Sequence, residues 1–179
     1  MTDTRPRLAH TAELDARTRF AAKTLLHEVF EGDMTEEDWD HALGGVHALV
    51  WEGEELIGHA SVVQRQMVHA GRPLRCGYVE GVGVRADRRG GGDGATMMTA
   101  LERVVRDAYD LGALSASDGA ADFYAARGWQ LWRGASYTLA PSGPERTEEE
   151  DGGIHVLPGA VPLDLTGDLA CDWRSGDVW

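Results

Sequence analysis

The run Arg85-Ala86-Asp87-Arg88-Arg89-Gly90-Gly91-Gly92-Asp93-Gly94 combines residue types and a spacing that could hold an anion. Three arginines lead into glycines, and an amphipathic helical pattern follows. Backbone amides bared by glycine at a helix start cradle phosphate oxygens, and the helix dipole adds positive potential. The spacing Arg89-x-x-Gly92-x-Gly94 has no Gly-Lys-Ser/Thr and so is not a Walker A loop; nor is it the GxGxxG dinucleotide fingerprint. A flexible connector is the alternative for any glycine-rich loop. Here the loop sits between a glycine-interrupted strand and a long helix, which favours the anion.

Carboxylates form the second chemical theme. Asp33 and Asp38 flank a helix start, Glu148-Glu149-Glu150-Asp151 is a four-acid run, and Asp168, Asp172 and Asp177 punctuate the last twelve residues. Such a set attracts ammonium groups, although a solvated loop would carry an acid run equally well. The chain as a whole has 17 Lys and Arg against 30 Asp and Glu, a net charge of −13. That field repels nucleic-acid backbones and anionic membranes and concentrates cations, so neither nucleic acid nor membrane is an expected partner. Cys76 and Cys171 are too few for a disulfide framework. Cys76 lies in a strand with no placeable histidine and reads as a small buried hydrophobe. The seven histidines show neither HxxxH nor HExxH, so no metal is expected. The tryptophans, Trp129, Trp132, Trp173 and Trp179 among them, read as core and rim. With no signal-peptide core in Met1 to Thr11 and no apolar run of membrane length, the expected location is the cytoplasm.

The elements that would position these groups follow from periodicity. A chain of 179 residues is about one domain. Arg7 to His10 reads as a strand, Glu13 to Phe30 as a helix, and Thr35 as the N-cap of a second helix ending near Leu43. Val46–Trp51, Leu56–Val68 and Leu74–Arg85 read as strands; Gly77, Gly81 and Gly83 in the third mark a bulge or a close backbone approach. Met97, Met98, Leu101, Val104, Val105 and Ala108 make one apolar helix face. Leu111–Ser115 is a strand, Asp118–Arg127 a helix, Trp129–Leu139 a strand, and Ile154–Leu157 a strand after a loop, with an irregular tail beyond. Antiparallel strands followed by strand–helix–strand imply an α+β (α/β) fold with one parallel crossover.

Several stretches resemble the aminoglycoside 2′-N-acetyltransferase family within the GNAT acetyltransferases: Trp39-Asp40-His41-Ala42-Leu43-Gly44-Gly45, Gly77 to Asp87, Ala108 to Ser117, Arg127-Gly128-Trp129 and Cys171 to Trp179. The glycine loop resembles the GNAT pyrophosphate loop. The resemblance spans nearly the whole chain. It implies the GNAT acyltransferase fold: a mixed, mostly antiparallel sheet with splayed central strands and flanking helices, in one domain over 1–179 whose segment 141–179 completes the substrate site.

The resemblance also implies roles. Acetyl-CoA would lie where the Leu74–Arg85 strand splays from Leu111–Ser115. Its pantetheine would pair with Val82, Gly83 and Val84, and its pyrophosphate with Arg89, Gly90, Gly91, Gly92, Asp93 and Gly94. The aminoglycoside would take Asp33, Asp38, Glu80, Gly81, Ser115, Glu149, Glu150, Asp177 and the Trp179 carboxylate. Glu80 would be the general base, through a water, with Val82 N–H as oxyanion donor and Tyr124 as the acid toward the thiolate. A homodimer is also implied. Asp93 departs from the family, where the position is usually aliphatic: a carboxylate there should repel pyrophosphate unless it serves as N-cap of the Ala95 helix. Two other readings share the acidic pocket, a GNAT acting on another cationic amine (a polyamine or cell-wall amino sugar) and a non-catalytic binder of cationic ligands.

Overall fold

The computed structural model describes residues 5–179; Met1 to Thr4, part of the segment read for a targeting signal, lie outside the described residues. The chain divides into two compact units, residues 1–63 with 79–104, and residues 64–78 with 105–179. Two long strands, β3 (Glu55–His69) and β4 (Arg72–Val84), pass through both.

In the first unit, β1 (Arg7–His10) pairs antiparallel with β2 (Val46–Glu52), and β2 pairs antiparallel with β3. A short 3-10 turn at Thr11–Glu13 leads into α1 (Ala16–Val29), so the helix starts three residues later than the periodicity suggested. Asp15 caps it, with Oδ1 accepting from Thr18 N at 2.8 Å. α2 (Glu36–His41) begins at Thr35 in a capping box closed by Asp38. Ala22, Leu25 and Leu26 recur at i, i+3, i+4 and pack with Met34, Trp39, Ala42, Leu49 and Leu56. Each fully buried leucine there contributes roughly 1.5–3 kcal/mol. α3 (Asp93–Ala108) buries Met97, Met98 and Leu101, and the Met97 sulfur would sit 3.1 Å from any side chain at Gly58.

In the second unit the strand order is β6 (Gln130–Leu131), β9 (Ile154–Pro158), β5 (Leu111–Ser115), β4, β3, β10 (Leu169–Asp172), β7 (Ser136–Ala140), β8 (Gly143–Arg146). β5 runs parallel to β4 after the α3 crossover, and their ladder covers Cys76 to Tyr78 against Leu111 to Ala113. α4 (Ala121–Ala125) is shorter than the Asp118–Arg127 expected.

Three sequence expectations fail in this unit, one being the loop before Ile154, which holds β8 paired antiparallel with β7. Trp129–Leu139 is not one strand: Arg133 N and Gly134 N turn out of line to donate to Leu165 O at 2.8 and 2.9 Å. A Cβ on Gly134 would lie 1.8 Å from Gly167 O, so the glycine is what permits this crossing. The tail is not irregular either. β10 is inserted between β3, antiparallel, and β7, parallel. Arg65, 4% exposed, locks it by donating Nε to Asp172 Oδ1 at 2.8 Å and Nη2 to Asp172 O at 2.9 Å.

Candidate functional site

The first unit carries the glycine loop. A 3-10 turn at Ala86–Arg88 delivers the chain to Gly90 and Gly92, both in the left-handed region (φ 79° and 95°) with open space where a side chain would be. α3 starts at Asp93, and Gly92 O accepts the first helical amide, Thr96 N, at 2.9 Å. Asp93 therefore lies in the first turn and is not the N-cap; Gly92 holds that place. A helix start with orphan amides beside exposed, left-handed glycines fits a diphosphate. The arginines contribute less free charge than their number suggested. Arg85 is held by Asp87 and Glu55, each at 2.6 Å, and Arg88 is paired with Glu52. Arg89 turns its Nε to Val84 O at 3.3 Å.

Just upstream, Glu80, Gly81, Val82, Gly83 and Val84 close β4. Gly81 has φ 56°, a left-handed break within the strand, and its carbonyl accepts from His59 Nδ1 at 2.8 Å. The substrate-binding carboxylates expected in this unit behave differently from each other. Asp33 is exposed in the turn after α1, whereas Asp38 is half-buried and accepts Thr35 N and Oγ1 on Oδ2, at 2.8 and 2.9 Å. Asp38 is thus also a capping residue.

In the second unit the structure brings Ser115, Glu150 and Asp177 together. Ser115 Oγ donates to Glu150 Oε2 at 3.1 Å. Burial pushes the Glu150 carboxyl up, and the neighbouring Asp177 and Glu149 charges push the same way, against the Ser115 bond. Asp177 Oδ1 accepts Trp179 N at 3.1 Å, and the buried Trp179 indole donates to Thr147 Oγ1 at 3.0 Å. Of the four-acid run, Asp151 is consumed structurally by Arg146 and Ser136, while Glu148 and Glu149 are exposed. Tyr124 is buried on α4 against the Trp129 and His155 rings, and burial pushes its phenol up to about 12. Cys76 is fully buried as expected, and that burial pushes its thiol up, away from nucleophilic duty. Among the described residues no group of three or more His, Cys, Asp or Glu could hold a metal, and no helix is long and apolar enough to cross a membrane.

The family model for the acetyltransferase (GNAT) domain matches residues 6–132. The chain is 51% identical over 177 residues to an aminoglycoside 2′-N-acetyltransferase from Mycolicibacterium fortuitum, covering 97% of this chain and 91% of that one. It belongs to the aminoglycoside 2′-N-acetyltransferase family of the GNAT acetyltransferases. Solved structures agree on the fold. Escherichia coli ElaA superposes with a TM-score of 0.59 at 21% identity over 84% of this chain and 97% of that one. A GNAT family acetyltransferase from Brucella melitensis, solved in complex with acetyl-CoA, gives 0.61 at 12% identity over 96% and 97%.

For a GNAT acetyltransferase, three features here were invisible in the sequence reading. Arg65 and Asp172 form their bridge across 107 positions. The Asp151–Arg146 pair withdraws one acid from the expected substrate run. His47 and His59 meet at 2.9 Å between β2 and β3, both fully buried. The only signal for the histidine pair was their place in two strands that otherwise read as core.

Proposed function

We propose that this acetyltransferase moves the acetyl group of acetyl-CoA to the 2′-amine of an aminoglycoside, by direct attack in a ternary complex. The observation that carries the reading is the 51% identity over nearly the full length to a protein of that name. Acetyl-CoA supplies an activated thioester carbonyl. Gly90, Gly91, Gly92, Asp93 and Gly94, with Arg89, hold its diphosphate at the start of α3; the bare, left-handed glycines support this. The backbone of Val82, Gly83 and Val84 pairs with the pantetheine.

The amine arrives as ammonium and has to lose a proton before it can attack. Glu80 takes that proton through a water, and Val82 N–H donates to the carbonyl oxygen as it gains charge. Tyr124 Oη gives a proton to the departing sulfur; a phenol raised to about 12 is protonated at neutral pH, as an acid has to be. The remaining ammonium groups are taken by Asp33, Asp38, Glu80, Gly81, Ser115, Glu149, Glu150, Asp177 and Trp179. The raised Glu150 carboxyl beside Asp177 supports a cation there, because a cation relieves the repulsion that raises it. In this reading residues 1–179 act as one functional domain with 141–179 completing the substrate site, in a cytoplasmic homodimer.

The test is free-thiol release from acetyl-CoA with aminoglycosides bearing either a 2′-amine or a 2′-hydroxyl. Turnover with the amine alone is expected. Turnover with polyamines or amino sugars but neither aminoglycoside would redirect the substrate, and tight binding without thiol release would make the protein a sequestering module.

A further inference from the structure

A directional hydrogen-bond chain runs through the first unit to the residue beside Glu80. Gly44 N donates to Thr11 Oγ1 at 2.8 Å, and Thr11 Oγ1 lies 2.7 Å from His47 Nε2. His47 Nδ1 lies 2.9 Å from His59 Nε2, and His59 Nδ1 lies 2.8 Å from Gly81 O. A carbonyl oxygen can only accept, so His59 Nδ1 carries the proton. Both rings are neutral: burial lowers His47 to about 3 and His59 to about 4, with the neighbouring ring adding to the shift at His47. A neutral His59 protonated on Nδ1 accepts on Nε2, which requires His47 Nδ1–H, which in turn makes His47 Nε2 the acceptor of the Thr11 hydroxyl proton. Each ring therefore has one allowed tautomer, and the Thr11 hydroxyl, which also lies 3.3 Å from Gly45 O, has its shorter contact to His47.

The end of the hydrogen-bond chain is where β4 leaves extended backbone. Gly81 is left-handed within β4, and its α-carbon sits so close to Leu26 and His59 that an added Cβ would come within 3.1 and 3.4 Å of them. Ser61 Oγ reaches the preceding carbonyl, Glu80 O, at 3.4 Å. Gly81 C=O and Val82 N–H share one peptide plane, so a fixed Gly81 oxygen fixes the Val82 N–H, and Ser61 holds the Glu80 backbone one peptide earlier. Trp39, next to Asp38 on α2, has its ring centre 6.2 Å from that of His59, tilted by 49°.

We propose that His59, its tautomer fixed through His47 and Thr11, is a positioning residue that pins the Gly81 carbonyl and thereby aims the Glu80 base and the Val82 donor. The inference rests on the acetyl-transfer reading for the identity of the reacting groups. It makes His59 matter more to turnover than to cofactor binding, which Gly83, Val84 and the glycine loop share with Val82.

An asparagine at this position places an N–H near the old Nδ1, whereas a glutamine places one near Nε2. His59→Asn is therefore expected to keep kcat within about threefold, and His59→Gln and His59→Leu to lose at least about tenfold in kcat, with the acetyl-CoA Kd shifting by less than about threefold in all three. A His59→Leu protein that binds acetyl-CoA normally and turns over like the parent would overturn the proposal, as would Asn and Gln behaving alike. Coupling supplies a second readout: Gly81→Ala and His59→Leu should be non-additive in kcat, and simple additivity counts against the link. The tautomers are measured on the unmodified protein by long-range 15N–1H NMR of the imidazoles, which needs no substrate. Both rings protonated on Nδ1 is expected, and a His59 proton on Nε2 would break the chain even in an active enzyme. A parent protein inert toward every amine would overturn the functional reading instead, with the tautomer result still standing.

Discussion

Mild acid should destabilise this protein through its buried histidine pair, before the carboxylates that partners hold low respond. An unfolded imidazole titrates near 6.5, while the folded values are about 4 for His59 and about 3 for His47. The folded pKa is depressed, so the unfolded state binds more protons; the contribution is complete above 6.5 and is lost as pH falls through that value toward the folded ones. At about pH 5 an unfolded ring is almost wholly protonated and a buried one almost wholly neutral, so each ring forfeits about 2 kcal/mol relative to pH 7.5. Their 2.9 Å contact couples them, and a single ring's share is the floor for the pair. The carboxylates held low by partners, among them Asp15, Glu36, Asp87, Asp151 and Asp164, lose their contribution only below their unfolded values of 3.8 to 4.5. Urea unfolding followed by tryptophan fluorescence, repeated between about pH 7.5 and 5, reads the loss as a falling midpoint. His59→Asn removes one titrating ring and should flatten that slope whatever it does to absolute stability. Equal slopes in parent and variant, or a midpoint that rises on acidification, would refute the reasoning.

Glu80→Gln should cut the rate of thiol release about a hundredfold or more while leaving the acetyl-CoA Kd alone, as loss of a general base does. Asp93→Leu removes a carboxylate from the first turn of α3 and should tighten acetyl-CoA several-fold by titration calorimetry, with a slightly lower Tm because an acid favours that helix end; an unchanged Kd would sink the repulsion argument. Glu150→Gln should raise the Tm of the ligand-free protein at neutral pH, where the carboxyl is ionised against its burial and Asp177, and the gain should shrink as pH falls through the raised pKa. The same variant should weaken aminoglycoside binding. Gly134→Ala forces a methyl to 1.8 Å from Gly167 O and should cost more than about 2 kcal/mol in urea unfolding.

Local chemistry made much of the fold readable. The Thr35 cap, the apolar stripe of α3 and the full extent of β5 are each set by residues within a few positions of one another, and they stand where the sequence put them. The glycine loop was equally visible, because left-handed backbone and open space are properties of glycine itself. For Asp93, one residue of helix boundary decides between the two alternatives, excluding the cap and leaving a first-turn charge.

Sequence by itself determined the element types as far as β5, the loop that suits a diphosphate, and the excess of carboxylates that suits a cation. Tertiary structure alone decided which charges remain available. Arg85 and Arg88 are matched by Glu52, Glu55 and Asp87; Asp151 is matched by Arg146; Asp172 is matched by Arg65; and Glu150 is left beside Asp177. Composition counts charges but carries no distances, and Coulomb attraction and desolvation depend on distance and burial. The same holds for the tail, where a strand with only four residues became ordered by inserting between β3 and β7, and for two histidines whose meaning exists only because antiparallel register sets them side by side.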